Sequence, residues 1–129
     1  MAQITQRQLS ASPHTLPVGG PTLIPGLSAT LQLSATTIMI NYRGVVYNGN
    51  AAAQNILIQV RIDGVSLGSA TGGQVDQTID PGYYATVERT WYKNLGAGPH
   101  TIEVRAGSSG ASVTMGFTDG YLTVWDTGV

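Results

Sequence analysis

Residues 55 to 63 alternate without a break: Ile56, Ile58, Val60 and Ile62 fall on one side of an extended backbone, and Leu57, Gln59, Arg61 and Asp63 on the other. Apolar residues that recur at every second position describe a strand with one buried face, because successive side chains of a strand point to opposite sides. Asp63-Gly64 comes at once after it, a dipeptide that accepts positive φ and makes a two-residue hairpin into Val65-Ser66-Leu67.

The same period runs through most of the chain. Residues 29 to 33 alternate, and residues 37 to 42 set Ile38, Ile40 and Tyr42 against Thr37, Met39 and Asn41; Val45, Val46 and Tyr47 continue that strand beyond an expected bend at Gly44. Asn48-Gly49-Asn50 is a turn. Residues 68 to 82 form a longer polar connection with one short edge strand near residues 74 to 79. Residues 83 to 92 make a long strand, with Tyr83, Ala85, Val87, Arg89 and Trp91 on one face and Tyr84, Thr86, Glu88, Thr90 and Tyr92 on the other. Neither face is wholly apolar, which suits a core on one side and a subunit contact on the other. A turn over residues 94 to 99, a strand over 101 to 106, a loop at 107 to 110, a strand over 112 to 117, the Asp119-Gly120 turn and a closing strand over 121 to 125 complete the pattern. About eight strands with turns every eight to twelve residues predict an all-β fold, an antiparallel β-sandwich of jelly-roll type.

Composition agrees and removes several function classes. At 129 residues the chain fits one domain, and 17 glycines with only 10% charged residues favour short strands over helices. The basic residues Arg7, Arg43, Arg61, Arg89, Lys93 and Arg105 are scattered and the net charge is −1, so no footprint for nucleic acid exists. Without cysteine there are no disulfides or thiolate metal sites. No apolar run of membrane-spanning length occurs and the first ten residues lack a leader's apolar core, from which a chain made in the cytoplasm is expected.

Residues 1 to 26 differ from the rest of the chain. Pro13, Pro17, Pro21 and Pro25 fix φ and remove donors, so the segment should run extended; it is read as an N-terminal arm preceding a sandwich domain of residues 27 to 129. Ile4, Leu9, Leu16, Val18, Leu23 and Ile24 are its apolar anchors for a neighbouring subunit or a capsid surface.

Chemistry-bearing residues are few. His14 and His100 sit in no recognisable acid–base pair, and nucleophile, metalloprotease and nucleotide motifs are missing, so no enzyme, cofactor or catalytic residue is expected. Asp63, Asp76, Asp80, Asp119 and Asp126 raise a loop-calcium reading, but Asp63-Gly64 and Asp119-Gly120 are ordinary turn chemistry and no metal is assigned. Tyr83, Tyr84, Trp91, Tyr92, Tyr121 and Trp125 admit a stacking platform for sugar rings; the competing reading, a subunit interface, takes precedence. Arg61, Glu88, Arg89, Glu103 and Arg105 occupy strand interiors, where charges face solvent or opposite charges, and with Trp91 they are assigned to that interface.

The stretches LIPGLSATLQLSATTIMINYRG, ILIQVRIDGVSLG, TWYKNLGAGPHTIEVRAGSSG and GYLTVWDTG carry a resemblance over residues 22 to 128 to trimeric jelly-roll domains of the tumour-necrosis-factor and C1q type, especially those of bacteriophage head-decoration, head-fibre and tail proteins. The resemblance implies a homotrimer in a virus particle, most simply a capsid decoration protein whose partner is the major capsid protein and whose arm attaches it. The alternative it leaves open is a glycan-binding module such as a tail-fibre tip.

Overall fold

The computed structural model describes residues 1–10, 14–66, 74–110, 113–115 and 120–128. The expected hairpin continuation at Leu67, the polar connection from Gly68, the outer parts of the strand over 112 to 117 and the Asp119 turn lie outside the described residues.

Eleven strands are present among the described residues: β1 (Ala2–Gln8), β2 (His14–Leu16), β3 (Thr22–Leu33), β4 (Thr36–Tyr47), β5 (Gln54–Ile62), β6 (Val65–Ser66), β7 (Gln74–Ile79), β8 (Tyr84–Leu95), β9 (Gly98–Ser108), β10 (Val113–Met115) and β11 (Tyr121–Asp126). They form two antiparallel sheets. Sheet A runs β1-β11-β4-β8, with β10 taking over from β11 alongside the end of β4 and β2 pairing with β10. Sheet B runs β3-β9-β5, and both β6 and β7 pair with the far side of β5.

Alternation decides what lies between the sheets. Ile38, Ile40, Tyr42 and Val46 of β4, with Val87 and Trp91 of β8 and Leu122 and Val124 of β11, are buried facing Ile56, Ile58 and Val60 of β5 and Ile102, Val104 and Ala106 of β9. Each buried Val, Leu or Ile among them stabilises the sandwich by about 1.5–3 kcal/mol relative to exposure. The Asp63-Gly64 turn forms as expected, with φ of 54° and 81°, the double positive φ of the hairpin turn that matches strand twist.

The strand continues through Gly44, as expected, but with no bulge there. Pairing with β8 passes without a shift through Gly44↔Val87. Glycine is required there for another reason: the ring of buried Tyr42 lies over it, and an added Cβ would come within 2.8 Å of Tyr42 Cζ. Among the described residues the Tyr42 hydroxyl has no hydrogen-bond partner, and burial pushes its pKa well up.

Residues 1 to 26 are extended, but they do not stand apart from the sandwich. β1 lies along β11 from Ala2↔Asp126 to Gln8↔Tyr121, with a bulge at Ile4, whose side chain packs against the core. Leu9, Leu16 and Ile24 are themselves core residues, whereas Val18 and Leu23 are exposed. The boundary drawn at residue 26 falls inside β3, where pairing with β9 lapses between Leu23 and Ser28, and Pro25 occupies that lapse without costing a ladder bond. Gly26, at φ of 86°, is where β3 crosses the end of β1, since a Cβ there would meet Ser10 N at 2.8 Å. Ile4, Leu9, Leu16 and Ile24 therefore find their apolar surface on the chain's own sheets, and Val18 and Leu23 do not.

Candidate functional site

The face of sheet A turned away from the core is set by the residues of opposite parity. Pairing places Tyr92, Met39 and Trp125 in one row across β8, β4 and β11; Thr90, Asn41 and Thr123 in the next; and Glu88, Arg43 and Tyr121 in the third. Further along β4, Tyr84 stands beside Tyr47, their ring centroids 4.6 Å apart and their planes tilted by 31°. Tyr84 and Tyr92 are 65% and 63% exposed, and Tyr83, just before β8, is exposed as well. Between the aromatic ends lies a polar band. Asn41 Nδ2 donates to Thr90 Oγ1 at 3.0 Å and to Glu88 Oε1 at 3.5 Å, and Thr37 Oγ1 donates to Asn94 Oδ1. Thr, Tyr and Trp are strand formers, so the sequence that makes the sheet also furnishes this surface.

A second feature lies where the edges of the two sheets come together. A cleft of about 490 Å³ separates the β5–β6 hairpin from β8. Beside it, His100 Nδ1 contacts Asp63 Oδ2 at 2.7 Å and His100 Nε2 contacts the Gly96 carbonyl at 2.8 Å, while Thr101 N donates to Asp63 Oδ1 at 2.8 Å. Both ring nitrogens face acceptors, so the ring makes both bonds only as the imidazolium. The hydrogen bond to Asp63, then that to Gly96, raises the His100 pKa, and the His100 bond holds the Asp63 carboxyl below its usual value. The clip's contribution is complete below the ordinary imidazole value of 6.5 and fades as pH rises through the higher folded-state value. At the acid end it is complete above the ordinary carboxyl value of 3.8 and fades as pH falls through the lower one. In thermal unfolding followed from about pH 5 to about pH 8, the midpoint of the native chain should fall relative to that of His100→Gln as pH rises; a difference between the two that does not change with pH would remove the clip as its cause.

The residues assigned to an interface are divided by the fold. Trp91 is a core residue, 4% exposed and in register with Ile40, because its parity is that of Val87. Arg89 shares that parity but is exposed, β8 being an edge strand. Glu88 is on the outer face of sheet A. Arg61, Glu103 and Arg105 lie on the opposite outer face, that of sheet B, with Arg61 in register with Glu103. There Arg105 Nε meets Glu103 Oε1 at 2.8 Å on the same strand, and Arg61 Nε donates to Gln59 Oε1 at 2.9 Å. The charged residues of the assignment thus lie on both outer faces of the protomer rather than on one.

Sequence reasoning gave no site role to Asn48, Met39 or Tyr47. Asn48 is fully buried; its Nδ2 donates to Ala52 O and Ile79 O, both at 2.9 Å, and its Oδ1 accepts from Asn50 N and Asn50 Nδ2. His14 Nε2 is buried with no partner among the described residues, and burial lowers its pKa. Among the described residues no three His, Asp or Glu side chains gather as metal ligands. Asp119 lies outside them.

No protein-family model matches this chain, and comparison with curated proteins returns no match. Solved structures do match. Eiger TNF from S. frugiperda superposes with a TM-score of 0.58 at 8% identity, covering 96% of this chain and 92% of that one. The CBM36-1 domain of a multidomain xylanase from the hindgut metagenome of Trinervitermes trinervoides gives 0.50 at 19% identity, covering 97% and 98%. The EclA C-terminal domain, a sugar-binding protein, gives 0.50 at 12% identity, covering 90% and 80%. At these identities the likeness is one of fold, and the fold is the two-sheet jelly-roll sandwich expected from the period-two pattern.

Proposed function

We propose that this chain is a glycan-binding β-sandwich module, with a binding rather than a catalytic role, and that sugar rings lie on the outer face of sheet A. The observation that carries the reading is the arrangement of that face: exposed tyrosines toward both ends, Trp125 in the row of Tyr92, and the Asn41, Thr90 and Glu88 band between them. Aromatic rings offer apolar faces to the C–H faces of pyranoses, and amide, hydroxyl and carboxylate groups on rigid strands meet the hydroxyls. Two fold neighbours being a carbohydrate-binding module and a sugar-binding protein lends further support.

A glycan array followed by calorimetry on the best oligosaccharide tests this. Tyr92→Ala and Trp125→Ala should each weaken binding about tenfold, or about 1.4 kcal/mol, and Tyr92→Ala should leave the melting temperature unchanged because that ring is exposed. Binding indifferent to both substitutions, or no bound glycan at all, would overturn the reading.

A second reading has the same face packing against copies of the chain in a homotrimer that decorates a virus capsid, with the major capsid protein as partner and the virion as location. What favours it is composition: Met39, Val45, Tyr47, Tyr121 and Trp125 are partly exposed there, and among the described β4, β8 and β11 residues of that face only Arg43 and Glu88 are charged. Light scattering separates the two. A trimer mass that Tyr92→Arg reduces to a monomer favours the second reading, and a monomer that binds glycan favours the first.

A further inference from the structure

We infer that the cleft at the open edge of the sandwich receives the carboxylate-bearing end of a glycan, a uronic acid unit. The inference rests on the glycan reading and extends it from the flat face to an adjoining recess.

The cleft joins elements of both sheets. Ile62, Asp63 and Val65 come from the hairpin of sheet B, and Trp91, Lys93 and Leu95 from the edge strand of sheet A. Tyr92 borders it too, and since Tyr92 also stands in the first aromatic row, the cleft and that face share a residue. Its size, about 490 Å³, falls within the usual range of small-ligand sites.

Charge selects the ligand. Both carboxylate oxygens of Asp63 are already engaged, one by His100 Nδ1 and the other by Thr101 N. Lys93 is exposed and has no carboxylate within ion-pair distance among the described residues. The lining therefore holds one ammonium without an ion-pair partner among the described residues, beside a carboxylate engaged elsewhere and together with the apolar Trp91, Ile62 and Leu95. A single ammonium is a point charge suited to a monoanion, whereas a phosphate would call for several donors or an arginine fork. A pyranose with one carboxylate has both required parts: a C–H face for the apolar lining and a monoanion for Lys93.

The test is an NMR titration of the full chain with D-glucuronate and, in parallel, with D-glucuronamide, which keeps the ring and removes the charge. The indole N–H of Trp91 reports the cleft and that of Trp125 reports the outer face. Glucuronate should bind roughly fivefold more tightly than glucuronamide at low salt, as expected for one exposed ion pair, with the larger shift at Trp91. Lys93→Met should abolish that preference and added salt should shrink it, while Trp125→Ala leaves it in place. Equal binding of the two sugars, or a preference unaffected by Lys93→Met, overturns the cleft inference; if neutral oligosaccharides still bind in a Trp125-dependent way, the glycan reading stands without it. No binding of any carbohydrate overturns both.

Discussion

A chain lacking residues 1 to 21 is expected to lose cooperative unfolding altogether. The deletion removes β1 and β2, exposes the full length of β11 as a new edge, and takes Leu9 and Leu16 out of the core. Burial of those two leucines alone contributes about 3–6 kcal/mol, against a total stability of about 5–15 kcal/mol for an ordinary domain. Calorimetry should show no sharp transition, and an apolar dye should bind the truncated chain. A milder form of the same test is Leu16→Ala, which should lower stability by about 2–5 kcal/mol in urea unfolding. A truncated chain that melts like the full one would mean that the first two strands only rest on the sheet.

Asn48→Ala should be nearly as damaging, by about 3 kcal/mol or more, although it removes little apolar surface. The side chain binds two carbonyls and two N–H groups from three separate places, and the backbone of the same residue accepts from Gly82 N at 2.7 Å and donates to Tyr83 O at 3.1 Å. Substitution strands the buried carbonyl of Ile79 and leaves that of Ala52 with only a 3.4 Å contact from Gln54 Nε2. Asn48→Asp should also destabilise, because a carboxylate can accept from Asn50 but cannot donate to the two carbonyls. Chemical denaturation of the three proteins would show whether the loss tracks the donors.

The inner faces of the sandwich were legible because burial and period two give the same answer at Ile38, Ile40, Ile56, Ile58, Ile102 and Val104. The outer face was half legible. Parity alone put Tyr84 and Tyr92 together, but the rows that join them to Met39 and Trp125 depend on the register between strands, which a one-dimensional pattern does not contain. Trp91 went to the core for the plain reason that it alternates with Tyr92. The amino-terminal segment misled in a particular way: proline kept it from looking like a strand, yet Pro25 falls where pairing lapses, and Ile4, Leu9, Leu16 and Ile24 fit the chain's own core. Nothing local could have joined His100 to Asp63, which are 37 positions apart and meet only because β5 and β9 are neighbours.

The pairing of β1 with β11 bears on the order in which the protein can form. Residues 2 to 8 find their hydrogen-bonding partners only at residues 121 to 126, so on a ribosome β1 emerges long before the strand it pairs with. Until then its apolar side chains, and those just after it, are exposed to whatever else is present. Pairings this distant in sequence are slow to close, typically on the scale of milliseconds to seconds. Sheet B, whose β5 and β9 lie closer together along the chain, can assemble earlier and offer the surface on which sheet A is completed.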